Sequence, residues 1–455
     1  MTGKWNSIEA VVKITERCNI DCTYCYVFNK GDDSFEFHPA VIGEAVIQQL
    51  AIFLSDGARD SGAQEVMVDF HGGEPLMMKK RRFDAMCHVL VEKITPVCRL
   101  KLNLQTNGML VDAEWIKLFE KYQINVGVSL DGPAKINDAE RIDHNGHGTH
   151  ARAVAGIRLL QQAHSEGRTR SVGLLSVAQQ NADAKAIYEH FVNELQVKGY
   201  NILLPIDTHD SFKPETADAY AKFLRDAFDQ WAAGDAPRPH VRLFLDTIRF
   251  LNAGQAATAG WRKSRSSGHL IITIASNGDV GPDDSLRTAN KSLFARHNVA
   301  DATLQSFLEA PEQRALFEAY NTLPEKCVSC AWKNLCKGGS ANGRIVNRFS
   351  SADGFKNPSV LCGVLQDFYS HVAVSLLKSG LKYETLTASL IHDEGSWLSY
   401  DKKCSFSSGS EFAWKEAKRG VAIKFSEPAG RRSRRSVSPK KQQNSATPDL
   451  QEAAM

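Results

Sequence analysis

Three cysteines fall within eight residues at Cys18-Asn-Ile-Asp-Cys22-Thr-Tyr24-Cys25, a C-x3-C-x2-C spacing. Structural zinc wants four protein ligands, typically as two C-x2-C pairs. Bacterial ferredoxin runs use C-x2-C-x2-C with a fourth cysteine elsewhere. Three thiolates on one tight loop hold three irons of a [4Fe-4S] cube and leave the fourth iron open. An open iron can bind a small chelating molecule and hand it an electron. A structural loop or a partial zinc site produces the same spacing, so this stretch leaves the chemistry open when taken alone. The loop directly follows an apolar run, Val11-Val-Lys-Ile-Thr15, that reads as a strand.

A second motif lies downstream, His71-Gly72-Gly73-Glu74-Pro75. C-x3-C-x2-C with an aromatic residue before its last cysteine, followed by Gly-Gly-Glu-Pro, resembles the signature of the radical S-adenosylmethionine (radical SAM) enzymes. The resemblance implies that the open iron binds the amino and carboxylate groups of S-adenosylmethionine. Reductive cleavage would then give a 5'-deoxyadenosyl radical. It also implies cofactor contacts from Tyr24, Gly72, Gly73, Glu74, Ser129 and Arg141. Glycines without a Cβ allow backbone to approach the methionine moiety, a plain tight turn being the alternative. Asp131, in Ser129-Leu-Asp131-Gly132-Pro133, also suits a turn, and an ordinary surface arginine is the alternative for Arg141.

The elements that must position these residues alternate. Short β-like runs occur at Val11–Thr15, Val66–His71, Lys101–Thr106, Asn125–Leu130, Ser171–Val177 and Asn201–Ile206. The gaps are long enough for crossover helices, and His38–Leu54 and Asp112–Lys121 show helical periodicity. Such alternation specifies parallel strands with right-handed crossovers. The resemblance implies an α/β fold, the radical SAM (β/α)6 partial TIM barrel. Sites in parallel barrels gather at the C-terminal ends of the strands, and both motifs follow a run.

Helical patterns over Thr216–Ala232 and Val241–Asn252 lead to a second unit. It opens with Leu270–Ala275 and the hairpin signal Asn277-Gly-Asp-Val280. It closes with Cys327-x2-Cys330-x5-Cys336, and Cys362 follows 26 positions later. This resembles the SPASM extension of radical SAM enzymes that modify peptides. The extension usually carries two auxiliary [4Fe-4S] clusters. Cys327, Cys330, Cys336 and Cys362 supply a complete set for one, and a zinc knuckle has nearly the same spacing. The other set is missing. Serine stands at position 340, four after Cys336; Asp283 stands in the hairpin where the family has a ligand; and no cysteine occurs between Cys98 and Cys327. Two [4Fe-4S] clusters are therefore expected in all. In sulfatase-maturing relatives a Cys-Asp pair stands in this hairpin and its aspartate accepts a proton, which aligns with Asp284. Both aspartates also fit a simple turn. Cys87, Cys98 and Cys404 read as buried or inert thiols.

Composition narrows the class. The 455-residue chain has a net charge of +3, but residues 428–441 hold six cationic side chains and no acid, leaving the rest net negative. A polybasic nucleic-acid binder is excluded, and the basic tail reads as solvated and disordered. No apolar run suits a membrane span. The N-terminus lacks a signal-peptide pattern, and ten cysteines without one point to metal ligands in the cytoplasm. Too few residues precede Val11 for a small winged-helix peptide-recognition domain.

The reading divides the chain into a radical SAM core (1–235), a SPASM-like auxiliary-cluster domain (236–375), an unassigned region (376–425) and the tail (426–455). One retained auxiliary cluster resembles maturases that crosslink ribosomally synthesised precursor peptides, including the cyclophane-forming group. The resemblance implies abstraction of a Cβ hydrogen, carbon–carbon bonding to an aromatic ring, and an electron donor such as flavodoxin or ferredoxin. Ether or thioether crosslinking, formylglycine-generating oxidation and a non-catalytic metal-binding scaffold are the alternatives.

Overall fold

The computed structural model describes residues 5–235, 237–253, 268–294, 296–339 and 344–390. Six parallel strands, β1 (Ser7–Thr15), β2 (Glu65–Gly72), β3 (Arg99–Thr106), β4 (Asn125–Ser129), β5 (Gly173–Val177) and β6 (Gly199–Leu203), lie side by side in chain order. Each expected run is one of these strands, with ends shifted by a few residues. The sheet continues past β6 into β7 (His240–Val241). On the other side β8 (His269–Ile274) pairs parallel with β1, followed by antiparallel β9 (Asp279–Gly281) and β10 (His297–Asn298). The second unit thus adds its strands to the first unit's sheet.

Strand alternation separates two environments. On β1 the residues Ile8, Ala10, Val12 and Ile14 are fully buried in the main core. Their alternates, Glu9, Val11, Lys13 and Thr15, face the other side, as a period of two requires. The register places Lys13 beside His71 and Val11 beside Asp69, so that second face is lined with polar groups.

Crossover helices cover the apolar face. These are α1 (Glu44–Ser61), α2 (Lys80–Ile94), α3 (Ala113–Lys121), α4 (His150–Ser165) and the short α5 (Ala184–Tyr188). The helix expected over His38–Leu54 starts later because Val41 is drawn into a bridge with Thr15, and Ile42 N–H donates to Ile14 C=O at 3.0 Å. It ends where Gly62 takes φ +73°, a left-handed stop that glycine adopts without strain. Asp112 caps α3 by accepting from the Glu114 and Trp115 N–H groups. A run of rings, Phe70–Phe83–Trp115–Phe119, with centroids 5.0, 5.1 and 6.0 Å apart, pins β2 to α2 and α3. Each buried ring is worth roughly 1.5–3 kcal/mol of transfer energy.

Helices α6 (Ala217–Ala233) and α7 (Arg242–Asn252) follow, and α8 (Cys362–Lys378) packs on them. Phe244 joins the three helices, 5.5 Å from Phe228 and 5.9 Å from Phe368. This seating fixes the start of α8, where Cys362 stands. A last helix, α9 (Tyr383–Leu390), lies in the stretch that the sequence left unassigned. The basic tail and Cys404 lie outside the described residues. Among the described residues no helix is long and apolar enough to cross a membrane.

Candidate active site

The loop after β1 carries Cys18, Cys22 and Cys25, and the turn after β2 is packed directly against it. Gly73 N–H donates to Thr15 C=O at 3.0 Å and Glu74 N–H to Arg17 C=O at 2.9 Å. A Cβ on Gly73 would lie 2.1 Å from Arg17 O and 2.8 Å from Cys18 N, both rigid backbone atoms. Gly72 has φ +131°, and its Cβ would lie 2.0 Å from Thr15 O. Both glycines are therefore required by the approach of two backbones, beyond ordinary turn geometry.

Glu74 braces the same contact. Its buried carboxylate accepts from Thr106 Oγ1 at 2.7 Å, Leu76 N–H at 3.0 Å and Asn107 N–H at 2.8 Å. Asn107 Nδ2 in turn donates to Asn19 Oδ1 at 2.7 Å, inside the cysteine loop. Glu74 was expected among the cofactor contacts. It does reach the cavity wall, but its carboxylate is engaged by the chain's own donors.

A cavity of about 870 Å³ opens over the C-terminal ends of the strands, with Cys18, Cys22 and Cys25 on its wall. Tyr24, Gly72, Gly73, Ser129 and Arg141 also line it, so the structure brings the expected cofactor residues together. Arg141 is buried. Its Nη1 donates to Tyr24 OH at 2.9 Å, and Tyr24 OH donates to Asp131 Oδ2 at 2.6 Å. Asp131 Oδ1 accepts Val177 N–H at 3.0 Å, so Asp131 ties β5 to the cysteine loop instead of serving as a plain turn residue. Ser129 Oγ accepts from Gln105 Nε2 at 2.8 Å.

The donor set suits an iron–sulfur cube with an open corner. Burial pushes the Cys18 thiol up to about 12 and Cys22 up to about 11. Metal binding must therefore displace their protons. Among the described residues no three His, Cys, Asp or Glu side chains are grouped to hold a single metal ion, as tetrahedral zinc requires. In a cube each cysteine holds a different iron, so the thiols need not meet at one point.

Beside the cysteine loop lies a buried polar cluster. Asp284 stands at the start of a 3-10 turn, Asp284–Thr288, after β9. Lys13 Nζ donates to its Oδ2 at 2.6 Å, and Tyr26 OH donates to the same oxygen. Burial alone would raise the Asp284 carboxyl. The Lys13 ammonium outweighs that, with help from Arg344, and holds the carboxyl well below the usual carboxylate range. Lys13 Nζ also lies 3.1 Å from His71 Nδ1. Burial, then Lys13, pushes the His71 imidazole down to about 3, so the ring is neutral at pH 7. An ammonium can only donate, so His71 accepts on Nδ1 and carries its hydrogen on Nε2. Tyr26, His71 and Arg344 line the cavity and surround the carboxylate.

The two hairpin aspartates thus separate. Asp283 forms the turn, accepting Ser285 N–H at 2.9 Å and Ser285 Oγ at 2.6 Å. Asp284 turns into the protein to meet Lys13.

A second group, Cys327, Cys330, Cys336 and Cys362, lines one void beneath α8. Hydrogen bonds from Cys330 N–H to Cys327 C=O (3.2 Å), Cys336 N–H to Trp332 C=O (2.7 Å) and Cys362 N–H to Ser359 C=O (2.9 Å) shape its rim. Position 340 lies outside the described residues. Cys87 is buried in α2 and Cys98 is half-buried, apart from both groups.

Sequence reasoning assigned no role to Lys13, Tyr26 or Arg344. Lys13 had a signal: a lone charge in an apolar strand must find a buried partner. Arg344 and Tyr26 had none, because only folding brings them to the carboxylate.

Residues 12–183 match the Radical SAM superfamily model. The chain is 24% identical over 335 residues to a cysteine-type anaerobic sulfatase-maturating enzyme of Clostridium perfringens, covering 71% of this chain and 85% of that one. It is 25% identical over 380 residues to a serine-type anaerobic sulfatase-maturating enzyme of Bacteroides thetaiotaomicron, covering 78% and 87%. Its fold is similar to the solved structure of native anSMEcpe with bound AdoMet and the Kp18Cys peptide. That match has a TM-score of 0.65 at 21% identity and covers 80% of this chain and 96% of that one. The two motifs stand at the ends of β1 and β2 in a parallel α/β sheet, their residues meet at one cavity, and the superfamily model covers the same stretch. The chain carries a radical SAM domain over residues 12–183, as an enzyme that uses a [4Fe-4S] cluster and S-adenosylmethionine.

Proposed function

We propose that this enzyme modifies a ribosomally made precursor peptide by joining the Cβ of one residue to the aromatic ring of another. The observation that carries the reading is the Lys13–Asp284 pair set behind a cavity wall shared with the three-cysteine loop. The related sulfatase-maturating enzymes, one of them solved with a peptide bound, support a peptide substrate.

When bound, the cofactors supply a radical that removes a hydrogen atom; the chain's residues do the rest. Cys18, Cys22 and Cys25 would hold the cluster, while Tyr24, Gly72, Gly73, Ser129 and Arg141, which line the same cavity, would contact S-adenosylmethionine. Once a substrate Cβ has lost its hydrogen atom and bonded to a ring carbon, that ring carbon must release a proton and the ring one electron. The peptide loses two hydrogens in total. The proton goes to Asp284, which Lys13 keeps ionised and Tyr26 orients. A carboxylate held so low is a weak base, and a weak base suffices, because losing this proton restores aromaticity. Cys327, Cys330, Cys336 and Cys362 would hold a second [4Fe-4S] cluster, which would supply an electron acceptor, and a flavodoxin or ferredoxin would supply the first electron. The core then spans 1–235 and the SPASM-like domain 236–375.

Formylglycine-generating oxidation of a Cys or Ser is the second reading, favoured by the names of the relatives. One experiment separates the two. Short aromatic-rich peptides, and in parallel a Cys-containing peptide, are incubated anaerobically with reconstituted enzyme, S-adenosylmethionine and reductant. A Cys22→Ala control runs alongside. A loss of two hydrogens with fragmentation silenced across a few residues is the expected result. An aldehyde-reactive product with fragmentation intact would move the enzyme to oxidation.

A further inference from the structure

The four-cysteine group has one side turned to solvent, and the Gln366 side chain spans it. Gln366 Nε2 lies 3.6 Å from Cys330 Sγ and 3.6 Å from Cys362 Sγ. An amide nitrogen carries two hydrogens, so it can give one to each sulfur. Its other end, Oε1, is only an acceptor and has nothing to offer a thiolate. The chemistry therefore fixes which way the amide points.

Helix geometry explains the placement. Cys362 and Gln366 are four apart on α8, hence on one face, and helical side chains lean toward the N-terminus. Gln366 is drawn back over Cys362 and reaches Cys330 from the other side of the void. The packing of Phe368 against Phe228 and Phe244 fixes the rotation of α8, which keeps Gln366 over the sulfurs. Cys327 is buried, Cys330, Cys336 and Cys362 are half-buried, and Gln366 is exposed.

We infer that Gln366 is a positioning residue for the auxiliary cluster: its amide donates to two ligand sulfurs on the cluster's exposed face and raises the cluster's reduction potential. Hydrogen bonds to sulfur and solvent exposure both set such potentials. Donors to sulfur stabilise the more negative, reduced form, which makes the cluster a better electron acceptor. The inference rests on the reading of these four cysteines as cluster ligands.

The test uses the full chain in a Cys18→Ala, Cys22→Ala, Cys25→Ala background, so that the auxiliary cluster alone is seen. Iron and sulfide are counted, and the midpoint potential is taken from an EPR-monitored redox titration. Gln366→Met removes both donors at similar size, and Gln366→Glu puts charge in their place. Both variants should keep the cluster and move its midpoint to lower potential, with Glu the lower of the two. An unchanged midpoint in both, with the cluster assembled, overturns the role of Gln366. A background protein that takes up no iron–sulfur cluster overturns the ligand reading, and this inference with it. Should neither variant hold a cluster, pulsed EPR of the background protein labelled with side-chain 15N-glutamine decides. A 15N coupling to the cluster supports the donor role, and its absence overturns it.

Discussion

Lys13 and Asp284 are 271 positions apart in the chain, yet Lys13 Nζ lies 2.6 Å from Asp284 Oδ2. Their side chains are only 2% and 8% exposed. One comes from the first strand of the barrel and the other from the turn after β9, so the pair ties the second unit to the radical SAM core at the cavity. Removing one partner from such a pair strands a buried charge, which typically costs about 3–5 kcal/mol.

Lys13→Met should therefore lower the unfolding free energy of the reconstituted enzyme by about 3–5 kcal/mol, read from denaturant unfolding followed by circular dichroism. The double variant Lys13→Met, Asp284→Asn should recover much of the loss, since it leaves no unpaired charge. The sign with pH follows from the depressed carboxyl. The contribution of Asp284 is fully present above about pH 4 and disappears as pH falls toward the native pKa. Lys13→Met should lose this acid-range dependence, and equal slopes for both proteins below pH 4 would count against the pairing.

Asp284→Asn keeps the shape and removes the proposed proton acceptor. Formation of 5'-deoxyadenosine should continue while modified peptide falls by about 10²–10⁴-fold, the usual worth of a positioned acid or base. Parallel loss of both products would show that Asp284 acts before hydrogen abstraction.

Tyr26→Phe deletes one donor to Asp284 and leaves the ring in the wall. A hydrogen bond to a charged group contributes about 1.5–3 kcal/mol, so product formation should drop roughly tenfold to a hundredfold. The iron content should not change. A rate equal to that of the unaltered enzyme would remove Tyr26 from the proton's path.

Gly73→Ala has no room, because its Cβ would meet the backbone of Arg17 and Cys18. The variant should lose the cluster proposed on Cys18, Cys22 and Cys25 and keep the one proposed on Cys327, Cys330, Cys336 and Cys362. Iron analysis should then read about half the normal content, and S-adenosylmethionine cleavage should vanish. Full iron with active cleavage would mean that the loop can shift.

Cys362→Ala should do the reverse. S-adenosylmethionine cleavage survives, while completed product collapses for want of an electron acceptor. Undiminished product would assign the four C-terminal cysteines to structure alone.

Much of this protein is set by short-range chemistry and is therefore visible in the chain. The three-cysteine loop, the Gly-Gly-Glu-Pro turn and the six β-like runs depend on spacing, period and the freedom of glycine, all of which act over a few residues. The end of α1 at Gly62 and the cap at Asp112 are of the same kind. Tertiary structure decided what depends on contacts between distant residues. Asp283 and Asp284 are adjacent and chemically identical, and only the fold sends one into a turn and the other to a buried lysine. The lone charge of Lys13 in an apolar strand announced a partner without naming it. Glu74 keeps its carboxylate for Thr106, Leu76 and Asn107 because the end of β3 lies beside it. Gln366 meets Cys330 only because three packed rings fix the rotation of α8. The energy of each such contact depends on burial and geometry, and a linear pattern carries neither until the chain has closed on itself.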